Sequence, residues 1–227
     1  MNEEIETSKD VLKDYSLLKK IDRFFYFSIK RLFDIVFSLL GIMFLLPISL
    51  IVKISYVLSG DYKTIFYKQK RIGKNGKIIY IFKYRTMIPD ADKVLKELLK
   101  KAKYKKEWKS HHKLSNDPRI TKVGRILRKS SLDEFPQFIN VLKGDLSIIG
   151  PRPLVEGELD EHNGNHEIYE SVKPGITGWW AANGRSAIDY ENRLKLEYYY
   201  AKNCNIILDI KCIFLTILIV IKRSGAK

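Results

Sequence analysis

The sequence predicts a mixed, helix-rich α/β domain carried on an N-terminal membrane helix. Three observations support this: an 18-residue run without a charge from Ile35 to Val52, two short alternating segments joined by a glycine turn, and an acidic-aromatic stretch beginning at Ser131 with helical spacing. At 227 residues the chain is long enough to bury a sizeable core.

Residues 1–27 read as a polar, mixed-charge leader, and the acidic start Met1–Asp10 is unlike a secretory signal. Residues 28–58 hold the apolar run, interrupted by Pro47, whose ring removes a helical hydrogen bond and kinks the axis. From Ile35 to Pro47 a helix covers roughly 20 Å, short of the ~30 Å hydrocarbon core. Lys19, Lys20, Arg23, Lys30 and Arg31 precede the run, while Lys53, Lys63, Lys68, Lys70 and Arg71 follow it. Positive flanks tend to stay in the cytosol, so a helix that enters, breaks at Pro47 and returns satisfies both ends; a straight crossing satisfies one. Residues 59–227 then form a cytosol-facing domain.

Within that domain Thr64–Lys70 and Lys77–Met87 alternate as two strands around a Gly73–Gly76 turn. Ile79, Ile81, Lys83 and Arg85 fall on one face of the second, and the two cations together could grip phosphate or be solvated edge charges. Asp90–Lys109 reads as a single helix with Val94, Leu95, Leu98, Leu99 and Ala102 as its stripe and a lysine-rich opposite side. His111 and His112 lack the spacing of a metal site. Ser131-Leu132-Asp133-Glu134 suggests a capping box opening a short helix faced by Leu132, Phe135, Phe138, Ile139 and Leu142. Asn205–Arg223, broken by Asp209 and Lys211 and ending in Lys222 and Arg223, suits an amphipathic helix in the membrane interface. Cys204 and Cys212, eight apart, form neither a disulfide framework nor a metal pair.

Charge narrows the partners. The net charge of +15 comes from the middle of the chain, where Asp61–Ser131 carries 22 basic residues against 6 acidic ones. Such a field collects anions, whether nucleic acid, acidic lipid or a phosphorylated small molecule. No recognised nucleic-acid-binding motif is present, which sets the first of these aside.

The chemistry concentrates between Gly124 and Pro153. Asp133 and Glu134 follow Arg125, Arg128 and Lys129, so a helix start and nearby cations can keep the carboxylates ionised and draw in phosphate oxygens. An ionised aspartate can accept a phosphoryl group covalently, with a divalent cation shielding the charge, and a neighbouring glutamate can orient metal or move a proton. Acidic residues also favour helix N-termini for purely structural reasons. Gly150-Pro151-Arg152-Pro153 holds one arginine between two stiffening prolines, either a phosphate clamp or a surface turn. Downstream, Pro174–Trp180 and Asn183-Gly184-Arg185 combine glycines, tryptophans and an arginine that could meet sugar, base and phosphate, or form a hairpin.

These stretches together resemble the bacterial sugar transferase family, the small monotopic phosphoglycosyl transferases. The resemblance runs from Lys30 to Ala226 through KRLFD (Lys30–Asp34), QKRIG (Gln69–Gly73), FKYRTM (Phe82–Met87), NDPRITKVGRILRKSSLDEFPQ (Asn116–Gln137), NVLKGDLSIIGPRP (Asn140–Pro153), KPGITGWW (Lys173–Trp180) and NGRS (Asn183–Ser186). It implies an enzyme of the bacterial inner membrane with its catalytic domain on the cytoplasmic face. Asp133, paired with Glu134, would attack the sugar-bearing phosphate of a UDP-sugar, release UMP, and pass the phosphosugar to polyprenyl phosphate, with Mg2+ bound near Asp133. Arg152 and Arg128 would bind phosphate, with Lys83, Arg85, Asn183 and Arg185 as further contacts. Membrane lipid is an implied partner, a homo-oligomer is left open, and a non-catalytic scaffold of a glycan-assembly complex is the rival reading. The chain departs from the pattern in placing Leu46 before the helix-breaking proline and in the bulk of Gly178-Trp179-Trp180-Ala181.

Overall fold

The computed structural model describes residues 2–111, 114, 116–184 and 188–221, with the backbone alone at 2–20, 109–111, 220 and 221. Helix α1 (Asn2–Leu58) runs across the expected boundary between leader and membrane segment without interruption. Pro47 lies inside it and does not end it. The proline removes one backbone bond and leaves the turns on either side intact. Ile21–Leu58 is long and apolar enough to cross a membrane, and only 17% of its most apolar 18-residue window is buried. A core helix of a water-soluble fold buries far more than that. Phe24, Leu32, Phe37, Leu40, Phe44 and Leu50 all point away from the protein body.

Strands β1 (Phe66–Ile72) and β2 (Ile78–Tyr84) form the expected antiparallel hairpin, with Phe66 opposite Tyr84 and Ile72 opposite Ile78. The turn is closed by Gly73 N–H donating to Lys77 O, with Asn75 in the left-handed region at φ 55°. Ile79 and Ile81 turn inward onto Val141 and Leu146. Each such side chain contributes about 1.5–3 kcal/mol on burial. The outer edge of β2 is finished by a side chain. Asn140, fully buried, accepts from Phe82 N–H (2.8 Å) and donates to Tyr80 O (2.7 Å), replacing a third strand.

The single helix expected over Asp90–Lys109 is two: α2 (Ala91–Leu98) and α3 (Ala102–His111). Asp90 itself sits at φ 57° and gives no capping bond, and α2 buries none of its residues. Without a packed face, nothing holds the two halves in line. Helix α4 (Lys122–Ser130) is capped by Thr121, whose hydroxyl accepts from Gly124 N–H at 2.8 Å. The capping box expected at Ser131 does not form. Ser131 takes the left-handed position that closes α4, donating its N–H to Arg128 O, and its side chain caps nothing. A 3₁₀ turn, Leu132–Glu134, then leads into α5 (Gln137–Lys143).

A second, parallel pair joins β3 (Ser147–Ile149) to β4 (Gly175–Thr177), with the short helix α6 (His166–Tyr169) between them. Here three backbones cross almost in contact: a Cβ on Gly150 would lie 2.4 Å from Lys173 O, one on Gly175 2.1 Å from Gly150 N, and one on Gly178 2.1 Å from Gly150 O. Helices α7 (Trp179–Ala182), α8 (Tyr190–Asn203) and α9 (Ile206–Ile221) complete the chain. Helix α9 buries Leu208 and Cys212 against Ile149 and Tyr200. Its exposed residues are mainly apolar, Ile206, Ile207, Ile210, Phe214 and Ile217, with Lys211 exposed among them. That surface suits lipid.

Helix α4 meets the end of the hairpin so closely that a Cβ on Gly124 would fall 2.0 Å from Thr86 O. Gly124→Ala is therefore expected to destabilise the fold by about 1–3 kcal/mol. Thermal unfolding in detergent checks this, and an unchanged midpoint would mean that α4 is not seated on Thr86.

Candidate active site

Three pieces of the fold converge on Asp133 and Glu134. Strand β2 supplies Lys83, whose ammonium is 3.0 Å from Glu134 Oε1. Helix α4 supplies Arg128, steadied by donation from Nε to Thr86 Oγ1 at 2.9 Å. The 3₁₀ turn presents the two acids, fixed by Leu132 and Phe135 packing against Tyr56, Tyr84 and Leu127. Burial, and then the Glu134 charge, push the Asp133 carboxyl up to about 6; Lys83 and Arg128 pull the other way without compensating. The dyad is thus a site of excess negative charge held partly out of water, which ordinary helix-capping acids are not.

Facing it is a group of arginines that the notion of a single clamp residue undercounts. Arg152 is gripped through its backbone: its N–H donates to Glu197 Oε1 (3.0 Å) and its carbonyl accepts from Tyr169 OH (3.0 Å). Its guanidinium lies 5.7 Å from the Trp180 ring centroid, and Arg193 lies 5.1 Å from the same ring. Arg71, 6% exposed, is within electrostatic reach of Arg152, Glu158 and Glu134. Burial and the neighbouring Arg152 lower its pKa to about 10, which leaves it charged at neutral pH. Among the described residues Nε of Arg71, Arg152 and Arg193, Nε1 of Trp180 and Oε2 of Glu197 are buried without a hydrogen-bond partner. Glu197, 1% exposed, is pushed to about 7 by burial, against the pull of the Arg152 backbone N–H and Arg193. Buried donors without acceptors are costly, and those of Arg152 and Arg193 at the Trp180 ring, with Arg71 in electrostatic reach, suit an anion.

The other expected contacts divide. Lys83 reaches the site, but as the partner of Glu134. Arg85 does not serve as a phosphate grip: it turns to Asp61 (3.0 Å), Thr64 O (2.8 Å) and Met87 O (3.2 Å) and lies over the Tyr56 ring. The twist at the end of β2 sends it under the hairpin, away from Lys83. Asn183 is exposed and donates to Trp179 O (2.7 Å), closing α7. Arg185 and His112 lie outside the described residues. Arg71, Arg193 and Glu197 were not singled out as site residues. The QKRIG motif contained Arg71, and Arg193 and Glu197 are one helical turn apart on α8, but only the fold shows that they meet Arg152.

The profile of the family described as "Bacterial sugar transferase" matches residues 25–223. The chain belongs to the bacterial sugar transferase family. It is 41% identical over 212 residues to the undecaprenyl-phosphate galactose phosphotransferase of Salmonella typhimurium, covering 93% of this chain and 43% of that one. It is 40% identical over 199 residues to the exopolysaccharide production protein ExoY of Sinorhizobium fredii, covering 87% of each. With the UDP-glucose:undecaprenyl-phosphate glucose-1-phosphate transferase of Escherichia coli it shares 37% over 198 residues, 83% of this chain and 39% of that one. The chain therefore spans less than half the length of two of these sugar transferases and most of the third.

The raised Asp133 value has a consequence for stability. A carboxyl near 6 in the folded chain and near 3.8 when unfolded binds its proton more tightly when folded. Stability thus declines as pH rises from about 4 to 6, and above that range the ionised group is a standing cost. Asp133→Asn is expected to unfold at higher temperature than the parent at pH 8 and at nearly the same temperature at pH 4. Melting curves at the two pH values test this; a variant less stable at pH 8 would contradict the strained-carboxylate assignment.

Proposed function

We propose that this sugar transferase moves a phosphosugar from a UDP-sugar to undecaprenyl phosphate through a covalent intermediate on Asp133, on the cytoplasmic face of the bacterial inner membrane. The observation that carries the reading is the under-compensated Asp133 carboxyl beside a set of arginines whose buried Nε donors are unsatisfied among the described residues. The names of the relatives, two of them undecaprenyl-phosphate transferases, point the same way.

In the first step a carboxylate oxygen of Asp133 attacks the sugar-bearing phosphorus. The bond from that phosphorus to the bridging oxygen breaks, and UMP leaves with the oxygen. Arg152, Arg71 and Arg128 bind the non-bridging oxygens as charge moves towards the leaving group, and Trp180 forms an aromatic wall beside them. In the second step an oxygen of the lipid phosphate attacks the same phosphorus and the acyl phosphate bond breaks. Asp133 returns as a carboxylate and a lipid diphosphosugar is released. The two displacements are chemically alike, so one pocket serves both. Lys83 holds Glu134 in place throughout.

The donor set also suits Mg2+. Among the described residues no three His, Cys, Asp or Glu side chains gather into a cage. Magnesium, however, commonly takes one or two carboxylates together with substrate phosphates and water, which Asp133, assisted by Glu134, can offer. When bound it would supply charge neutralisation on the diphosphate. Turnover is expected to fall on acidification below about 6, as the Asp133 nucleophile is protonated, and a pH profile of UMP release checks this.

The deciding assay is UMP release by the detergent-purified chain with Mg2+, undecaprenyl phosphate and a panel of UDP-sugars, beside Asp133→Asn. Release with one donor, reduced at least a thousandfold in the variant, is the expected result; equal release by the variant would remove Asp133 as nucleophile. Silence from folded protein over the whole panel would favour the rival reading, a scaffold that keeps the fold without turnover.

The same proposal places α1 in the membrane as a re-entrant helix bent at Pro47. Basic residues on both flanks support this, as does the position of Lys53, which donates to the carbonyls of Tyr62 and Lys63 in the domain body. Pro47→Leu is expected to straighten the helix and carry the N-terminus across. Labelling a cysteine introduced near residue 9 with an impermeant reagent reports the side, and a cytoplasmic N-terminus in the variant would exclude the hinge role.

A further inference from the structure

A second charged cavity lies away from the dyad, between the first turns of the apolar stretch of α1 and the β3–β4 crossing. Its volume is about 140 Å³, and Lys30, Arg31, Lys74 and Lys173 line it together with a single carboxylate, Asp34. Three of these five groups are already committed. Lys30 pairs with Asp209 at 2.7 Å. Arg31 forks onto the carbonyls of Val141 (2.6 Å) and Leu142 (2.7 Å). Asp34 accepts from Ser147 Oγ (3.0 Å) and Ile148 N–H (2.8 Å).

The other two cations are not. Lys173, half-buried, forms no hydrogen bond or ion pair among the described residues. Burial, and then Arg31, lower its pKa below the ordinary lysine value. Lys74, exposed, lies over the ring of Phe27, 5.5 Å from its centroid, and forms no side-chain ion pair among the described residues. Lys173 opens the KPGITGWW stretch, whose tryptophan bears on the dyad side but whose lysine has no part in the proposed reaction. Lys173 lies in reach of the Asp34 and Asp145 carboxylates as well as the Arg31 and Lys74 cations, and its ammonium keeps donors that can take a phosphate oxygen.

We propose that this cavity binds the phosphate headgroup of an anionic phospholipid. With Lys30 paired to Asp209, three cations of the wall face one acid, and a phosphate can take donors from Lys173 and Lys74 together. The cavity is also placed where a headgroup would be. Tyr26, Lys30, Arg31 and Asp34 face into it from the same turns of α1 whose Phe24, Leu32 and Phe33 point outward into the apolar belt. A lipid phosphate seated there leaves its acyl chains beside those side chains. The assignment rests on α1 lying in a bilayer and is independent of the chemistry at Asp133.

The test is native mass spectrometry of the full chain purified in detergent and offered phosphatidylglycerol, phosphatidylcholine or inorganic phosphate. Four variants accompany it: Lys74→Gln/Lys173→Gln, Lys74→Arg/Lys173→Arg, the α2–α3 control Lys96→Gln/Lys103→Gln, and Asp133→Asn. The expected result is retention of phosphatidylglycerol over phosphatidylcholine, weakened about 25-fold in the first variant, at roughly fivefold per cation. It is preserved in the arginine pair, the control and Asp133→Asn. Equal retention by the first variant and the parent overturns the site, as does loss in the control alone. Inorganic phosphate raising the melting temperature of the parent but not of the first variant, with no preference between the two lipids, overturns the lipid assignment in favour of a soluble anion.

Discussion

The structure depends on the Asp34 carboxylate, which reaches from the membrane helix into the catalytic body and takes the Ser147 hydroxyl and the Ile148 N–H. A buried carboxylate with two donors fixes its surroundings more firmly than an apolar contact can, because letting go would leave charge and donors unpaired in a dry place. The residues beside it extend the grip. Arg31 closes the C-terminal carbonyls of α5, and Lys30 joins Asp209 of α9, which also accepts from Tyr26 and Tyr200. Four residues of α1, Tyr26, Lys30, Arg31 and Asp34, therefore set the positions of α5, β3 and α9. Since α5 continues from the dyad and β3 leads into Arg152, both halves of the active site are referred to the helix that enters the lipid.

Within that arrangement Glu134 pairs with Lys83, while the arginines of the site are carried by other elements. Asp133 and Glu134 come from the turn before α5, whereas Arg71, Arg152 and Arg193 are held by β1, the β3 exit and α8. Glu197 and Tyr169 hold the Arg152 backbone from two sides. The frame keeps the guanidinium donors and the Asp133 carboxyl apart at a cost in stability.

Much of this was legible in the sequence, and the exceptions have physical causes. The hairpin was found because period-two alternation around a glycine turn is a local signal, and its ends shifted by about two residues because only pairing decides where a strand stops. Asp133, Glu134 and Arg152 stand out in the sequence only as residue types in suggestive neighbourhoods. The misassigned cases are those that tertiary contacts decide. Ser131 has the composition of a cap but is needed to end α4, so its backbone takes a geometry in which its side chain cannot cap. Arg85 shares a face with Lys83 by strand counting, yet the end of the strand twists and delivers it to Asp61. Arg71, Arg193 and Glu197 could not have been grouped beforehand, because nothing local relates β1, α8 and the Gly150–Pro153 turn.

The crossing of Gly150, Gly175 and Gly178 has a further consequence for how such a pocket can be altered. Each glycine lacks a side chain because another backbone occupies that space, and no movement of one strand makes room without opening the parallel pair. A single replacement at any of the three meets main chain rather than a side chain that could be trimmed in return. Compensating second substitutions are therefore closed off from the start. Variation in what the pocket accepts must come from the side chains around its rim, and a mutagenesis library that leaves these three positions fixed loses none of the diversity the fold can express.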